Sequence, residues 1–193
     1  MNRPLSFALA AALAAFSAPA FAEAVKYNVD PGHSQILFSY NHLGFSTNYG
    51  MFSGFEGVVN FDAENPAESS VEVSFPVSTL ITGFQARYDH FMTGDFFNAE
   101  VNKDVTFKST SIEVTGEKTA KITGDLTLNG VTKSVVLDTT LNQAGDHPME
   151  NKPWLGFTAT TTLVRTEFNL GQFAPYVSDE VPVTINIEAG KAD

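Results

Sequence analysis

The chain has 193 residues, of which 43% are hydrophobic and 17% charged, and its formal net charge is −11. It contains no cysteine, which excludes disulfides and cysteine-ligated metals. The 22 acidic residues are scattered along the chain, so the charge disfavours nucleic-acid binding and durable adsorption to an anionic bilayer.

The N-terminus has the pattern of a secretory signal peptide. Arg3 supplies a positive charge, residues 7–16 form an apolar segment, and Ala20-Phe21-Ala22 is a small-x-small cleavage site. We predict a cleaved signal peptide at residues 1–22 and one mature domain at residues 23–193. Loss of Arg3 takes the net charge from −11 to −12. The alanine-rich signal indicates a bacterial periplasm, and secretion beyond it stays open.

Most of the mature chain alternates apolar and polar residues in short runs, which is the pattern of half-buried β-strands. About nine such runs follow one another, joined by short turns. Asn129-Gly130 predicts a two-residue hairpin with positive φ at both positions. Residues 44–50 are rich in glycine and polar residues and are predicted to form a loop, with a bulge following near Ser53-Gly54.

Repeated hairpins predict an antiparallel sheet, and so many strands favour closing the sheet to remove its edges. The predicted fold class is therefore all-β, an extended eight-stranded antiparallel barrel with a short helical segment near one end. A barrel of this size either fills with side chains or holds one small ligand.

The helical segment is Ser78–Asn98, where the period of the pattern changes. Phe84, Tyr88 and Phe91 recur at helical spacing and share one face, which we expect to point into the barrel mouth. The segment also carries four ionisable side chains close together: Arg87, Asp89, His90 and Asp95.

Phenylalanine is unusually frequent, with 17 residues in the chain. Five of these lie on alternating strand faces: Phe38, Phe61, Phe75, Phe107 and Phe157. They fit ordinary core packing or an aromatic tunnel for an apolar ligand, and composition does not separate the two. Gly57 and Gly124 lie between large residues, where they either leave room for such a tunnel or mark bends of the barrel.

The polar candidates do not form a recognisable catalytic or metal site. His42 and His90 are expected at the barrel mouth as hydrogen-bonding groups, since no histidine pair has metal-ligand spacing. Arg87 fits two roles. It could contact a phosphate, carboxylate or quinone head group, or it could form an ion pair with an aspartate that fastens the helix to the barrel rim. No nucleophile elbow or phosphate loop occurs, so we predict a protein that is not an enzyme and has no cofactor or metal.

Several short motifs follow one another along essentially the whole mature chain. They are Asp30-x-x-His33-Ser34-x-Ile36-x-Phe38, Asn41-His42-Leu43-Gly44-Phe45-Ser46, Thr82-Gly83-Phe84-x-x-Arg87-x-Asp89-His90-Phe91, Asp95-Phe96-Phe97, Thr106-Phe107-x-Ser109, Gly124-Asp125-Leu126-Thr127-Leu128-x-Gly130-Val131-Thr132-Lys133, Gly156-Phe157, Arg165-x-x-Phe168 and Asp179-Glu180-Val181. In these motifs and their order the chain resembles the YceI-like family of exported, lipocalin-like polyisoprenoid-binding proteins. Tyr88 separates Arg87 from Asp89, which the family often has adjacent, and this leaves the direction of Arg87 open.

The resemblance implies a lipocalin-like barrel that holds a long-chain isoprenoid lipid, of the prenyl phosphate or quinone class, for carriage or storage. We expect at most transient membrane contact and no nucleic-acid partner. Whether the chain forms a homodimer stays open. The candidate ligand-binding residues are Phe38, Tyr40, His42, Phe61, Phe75, Phe84, Arg87, His90, Phe91, Phe107 and Phe157. Two alternatives remain: a structural or stress-protective barrel without a ligand, and an enzyme that acts on a lipid head group through the Arg87 cluster.

Overall fold

The computed structural model describes residues 24–193, so the predicted signal peptide at residues 1–22 lies outside the described part. Within the described residues the fold consists of ten strands and one α-helix. In chain order they are β1 Val25–Val29, β2 Gln35–His42, β3 Ser46–Phe52, β4 Glu56–Phe61, β5 Ser70–Pro76, α1 Gln85–Met92, β6 Asp104–Val114, β7 Thr119–Leu128, β8 Val131–Asp146, β9 Pro153–Val164 and β10 Glu180–Lys191. Single 3₁₀ turns occur at Pro66–Glu68, Val77–Thr79 and Arg165–Phe168.

The ten segments form a closed barrel of eight antiparallel strands, because β1 with β2 and β3 with β4 each act as one kinked strand. β1 pairs with β4, and β2 pairs with β3. From β4 the sheet continues in chain order through β5 to β10. β10 then pairs with β2 along Val183–Asn186 and with β1 along Ala189–Lys191, which closes the ring. This confirms the predicted fold class.

Each kink has a local cause. Between β1 and β2 the chain is tied to β10, since the Asp30 amide donates to the Glu188 carbonyl at 2.8 Å and the Glu188 amide donates to Ser34 Oγ at 3.2 Å. Between β3 and β4 the chain turns at Gly54, whose φ of +71° is accessible to glycine with no steric cost. The predicted bulge near Ser53-Gly54 is therefore wrong in kind, because the chain leaves the sheet there and β3 and β4 are separate strand segments.

The predicted loop at residues 44–50 is wrong, because Ser46–Phe52 forms β3 in register with β2 from His42↔Ser46 to Ile36↔Phe52. Its inner face carries Ser46, Asn48 and Gly50. Because none of these is apolar, the sequence does not show the apolar–polar alternation of a strand. The hairpin prediction holds, with φ of +48° at Asn129 and +74° at Gly130.

One end of the barrel, called here the helix end, is covered by α1 and the residues that follow it. The Phe91 ring packs against Tyr40 at 6.1 Å between centroids, and the Phe97 ring meets Phe52 edge-on at 5.7 Å. At this end the outer edge of β3 is joined to the segment before α1 by an isolated backbone bridge, Met51↔Ile81. Within residues 24–193, no helix has the length and apolar character needed to span a membrane.

Two groups of buried side chains hold the barrel together. The larger lies beneath the helix end and includes Phe52, Phe55 and Phe75, and the smaller joins Leu155 and Ala189 on the opposite half. Burial of a large apolar side chain stabilises the fold by about 1.5–3 kcal/mol. Side chains of both groups, among them Phe75 and Val59, line a cavity in the barrel interior.

Candidate functional site

A long cavity of about 630 Å³ runs through the barrel interior. It begins at the helix end, where His42 and His90 line it, and reaches the hairpin between β6 and β7 at residues 116–119. Its walls are mainly aliphatic and aromatic side chains from every strand except β1. This volume lies in the range of small-molecule binding sites, about 300–1,000 Å³. Of the two alternatives that composition did not separate, a packed core and an aromatic tunnel, the structure therefore has the tunnel.

The structure brings nearly all predicted site residues to this one cavity. The residues that line it are Phe38, Tyr40, His42, Phe61, Phe75, Arg87, His90, Phe91, Phe107 and Phe157. Phe84 does not, because it precedes the first turn of α1 and its side chain is 64% exposed on the outside. Tyr88 also lies off the cavity wall and donates its hydroxyl to the Ser78 carbonyl at 3.3 Å. The expectation that Phe84 and Tyr88 point into the mouth was therefore wrong.

Glycines on the inner faces make room for rings and backbone. A Cβ on Gly124 would lie 2.4 Å from Phe107 Cζ, and a Cβ on Gly50 would lie 2.2 Å from Phe38 Cζ. At Gly57 the neighbour is backbone, the Glu72 carbonyl oxygen at 2.4 Å. The space beside Gly124 is thus filled by a phenylalanine that lines the cavity, and Gly57 allows a close strand approach.

Aromatic rings form a connected wall in the half of the barrel near the helix. Phe52 stacks on Phe38 at 5.7 Å and packs against Phe75 at 5.1 Å, and Phe75 packs against Phe55 at 4.8 Å. Such tilted and stacked pairs are worth about 0.5–1.5 kcal/mol each beyond the area that they bury. These contacts hold the rings of the wall against one another.

At the helix end the cavity is lined by two arginines and by polar side chains, and the opposite end carries Glu117 and Lys118. Arg87 Nη1 donates to the Thr82 carbonyl at 3.2 Å, and its guanidinium also faces the Tyr40 hydroxyl. Burial raises the pKa of Tyr40, opposed by Arg87 and Arg165. Among residues 24–193, no aspartate or glutamate lies within 4.0 Å of the Arg87 guanidinium, so the predicted ion pair is not formed. Arg87 points inward, toward the end of the cavity.

Arg165 is a cavity residue that sequence reasoning missed as a site residue. Its guanidinium donates to the carbonyls of Ser178 and Val177, each at 2.9 Å, and to those of Leu170 and Gln172. Burial lowers its pKa, opposed by Asp179 and Tyr40. Four of the five N–H groups of an arginine are thereby used, and one remains for Tyr40 or a ligand. The Arg165-x-x-Phe168 motif was the available signal.

The four ionisable side chains of the helical segment are divided between the cavity wall and the outer surface. Arg87 and His90 line the wall, whereas Asp89 is exposed and accepts a hydrogen bond from Gln85 at 2.8 Å. Asp95 is also exposed and lies 3.3 Å from His90 Nε2. Both carboxylates therefore lie on the outer side of α1. They do not share a site with the cavity-lining Arg87 and His90, as an enzyme that acts on a lipid head group through this cluster would require.

Comparison with known proteins gives the family of this barrel. The model of the YceI-like domain matches residues 27–189, so the chain belongs to the YceI-like family. A UPF0312 protein of Ectopseudomonas mendocina is 39% identical over 169 residues, covering 86% of this chain and 88% of that protein.

Two solved structures share the fold. The crystal structure of Burkholderia cenocepacia BcnA superposes with a TM-score of 0.75 at 24% identity, covering 83% of this chain and 98% of that one. A polyisoprenoid binding domain from Saccharophagus degradans implicated in plant cell wall breakdown gives a TM-score of 0.68 at 12% identity, covering 87% and 99%. At these identities the likeness concerns the fold.

Proposed function

We propose that the protein is a periplasmic carrier or store of one long-chain lipid of the isoprenoid type, such as a prenyl phosphate or a quinone. The observation that carries this proposal is the mainly apolar cavity of about 630 Å³ that carries Tyr40, Arg87 and His90 at its helix end. Membership of the YceI-like family and the polyisoprenoid binding of the Saccharophagus degradans domain support the same ligand class.

The energetics of transfer define what the cavity has to do. Moving a CH₂ group out of water contributes about 0.8 kcal/mol, so the cavity wall readily takes up an isoprenoid tail. A membrane offers the tail an equally apolar environment. A carrier therefore gains its preference from shape and from contacts with the head group.

The helix end supplies those head-group contacts. Arg87 lies inward without a carboxylate partner among the described residues, and Tyr40 and His90 face the same part of the cavity. A guanidinium binds phosphate oxygens in bidentate fashion and polarises a carbonyl. We assign the head group to Arg87, Tyr40 and His90, and the tail to the phenylalanine wall.

Exposed apolar side chains around the same end favour brief contact with a membrane. The aromatic rim consists of Leu43, Phe45, Phe173 and Tyr176, with exposed fractions from 48% to 88%. The Leu43 amide donates to the Tyr176 carbonyl at 3.0 Å, and the Phe173 ring lies 6.2 Å from that of His90, at the mouth. Because the rim continues into the cavity, a lipid has an apolar path between bilayer and barrel. The overall negative charge keeps the contact transient.

Native mass spectrometry of gently purified protein tests the proposal. We expect a co-purified long-chain lipid, with one molecule per chain. The double variant Phe38→Trp and Phe107→Trp enlarges two wall residues and should lower lipid occupancy. Phe84→Trp is the matched control, since the same exchange lies outside the wall, and should leave occupancy unchanged. A barrel that stays empty when supplied with lipid vesicles would instead favour the structural, ligand-free alternative.

A further inference from the structure

A second cluster of side chains lies on the outer wall, at the kink between β1 and β2. Asp30, His33 and Glu188 each place one nitrogen or oxygen ligand atom within 4.8 Å of the other two. His33 Nδ1 and Asp30 Oδ2 are 2.6 Å apart. The lipid cavity does not include this cluster.

The backbone holds the three residues together. Asp30 and Ser34 are hydrogen-bonded to the backbone of Glu188, so the kink and β10 cannot separate without breaking those bonds. The carboxylates are also oriented from outside the cluster. The Gly32 amide donates to Asp30 Oδ1 at 2.8 Å, and the Trp154 indole N–H donates to Glu188 Oε2 at 3.0 Å. Hydrogen bonds of this kind orient metal ligands and keep their other oxygen available.

We infer that Asp30, His33 and Glu188 form a binding site for one divalent transition-metal ion, with Zn²⁺ as the representative ion. One imidazole and two carboxylates are a ligand set that Zn²⁺ accepts, and three protein ligands leave a position for water. The site adjoins a surface groove of about 820 Å³, through which an ion and its water reach it. This inference is independent of the proposed lipid binding.

The present spacing suits such an ion after small side-chain movements. With metal–ligand bonds of about 2.0 Å, tetrahedral ligand atoms lie roughly 3.3 Å apart. The observed separations range from 2.6 Å between Asp30 and His33 up to a limit of 4.8 Å. His33 is largely exposed, so its ring turns without disturbing the core.

The metal would compete with a proton on His33. The Asp30 hydrogen bond raises the pKa of His33, and the charges of Asp30 and Glu188 add to this effect. Other charged or titratable groups nearby are His147, which acts on the Asp30 charge and packs on the Trp154 ring, and Lys152, which lies over that ring.

The chain carries its own reporter for this site. Trp154 is the only tryptophan in the sequence, and its indole donates to a proposed ligand. Zn²⁺ bound to Glu188 changes the charge beside the indole, which should alter the fluorescence of Trp154. The ion also bridges the kink to β10, where the barrel closes, so it should raise the melting temperature.

The test is a Zn²⁺ titration of tag-free full-length mature protein, followed by calorimetry, Trp154 fluorescence and thermal melting. We expect one ion per chain, a fluorescence change and a higher melting temperature. His33→Ala and Glu188→Gln should each weaken binding by about 10-fold or more. Both substitutions are expected to fold, since His33 is exposed and glutamine keeps an acceptor for the indole.

His42→Asn is the matched control, because it removes an imidazole at the barrel mouth and should leave Zn²⁺ affinity unchanged. Equal affinity in the native protein and His33→Ala would mean adventitious surface binding and would overturn the assignment. The same holds if Glu188→Gln has no effect, or if 1:1 binding is absent. Lipid occupancy in His33→Ala should match that of the native protein, so failure of the metal site and failure of the lipid proposal are distinguishable.

Discussion

Adding a single methyl group at Gly50 tests whether a ring fills the space next to that residue. In the structure the new Cβ would lie 2.2 Å from Phe38 Cζ, whereas ordinary contact begins at 3.4 Å. The ring would have to retreat by at least the difference, 1.2 Å. It is stacked on Phe52 and lines the cavity, so it moves at the expense of that stack and of ligand space.

The net effect of Gly50→Ala follows from two opposing contributions. Overpacking of this kind costs about 1–3 kcal/mol. Alanine at a compatible backbone position recovers about 0.4–1 kcal/mol through the unfolded state. We therefore expect a net loss of about 0.5–2 kcal/mol in the free energy of unfolding, and lower lipid occupancy.

The effect of Gly50→Ala on the free energy of unfolding should change sign in a Phe38→Leu background. Leucine lacks the three ring atoms, Cζ, Cε1 and Cε2, that meet the new methyl group. There Gly50→Ala should be stabilising by about 0.4–1 kcal/mol, measured by urea unfolding of both pairs of variants. Gly57→Ala is the matched control, because its clash is with the Glu72 carbonyl and should persist in both backgrounds. A loss of stability at Gly50 that is the same in both backgrounds would refute the reasoning.

Three further expectations concern other parts of the molecule. Arg165→Lys should lower the free energy of unfolding by about 1–3 kcal/mol in urea titrations, because a lysine cannot donate to all four carbonyls that the guanidinium joins. Unchanged stability would contradict this role of Arg165. NMR titration should give His33 a pKa above the usual 6.5, and Asp30→Asn should lower it. The stability contributed by that pair is present below pH 6.5 and is lost as pH rises through the raised pKa; a His33 pKa that Asp30→Asn leaves unchanged would argue against the pairing. Phe45→Ser with Tyr176→Ser should slow lipid transfer to vesicles and leave the amount of lipid held by the protein unchanged, and equal transfer rates would exclude the aromatic rim as a docking surface.

The inward faces of the strands could be read from the sequence because the β period is local. Phe38, Phe107 and Phe157 each share one face of a period-2 pattern, and all three line the cavity. The Asn129-Gly130 turn was equally local, since its backbone requires residues that tolerate positive φ. These features depend on nearest neighbours in the chain, and the structure bears them out.

Features that depend on distant residues could not be predicted in the same way. β3 lacks apolar alternation near the mouth, and its strand conformation comes from pairing with β2. Phe84 has helical spacing with Phe91, but the helix begins only at Gln85, so the ring falls outside the periodic face. Glu188 meets the kink after β1 through closure of the barrel, which no local spacing indicates.

The barrel wall has few backbone hydrogen bonds at the bridge between Met51 and Ile81. Two backbone hydrogen bonds, of 3.0 and 2.8 Å, join β3 to the segment before α1 there. At about 1 kcal/mol net for each bond, separating them requires far less than separating β9 from β10, which stay paired from Val164 to Trp154. In the carrier that we propose, a lipid tail would leave sideways beneath α1 and would not be drawn lengthwise past the proposed head-group contacts at the mouth. Release would then be controlled by how tightly α1 packs against the wall.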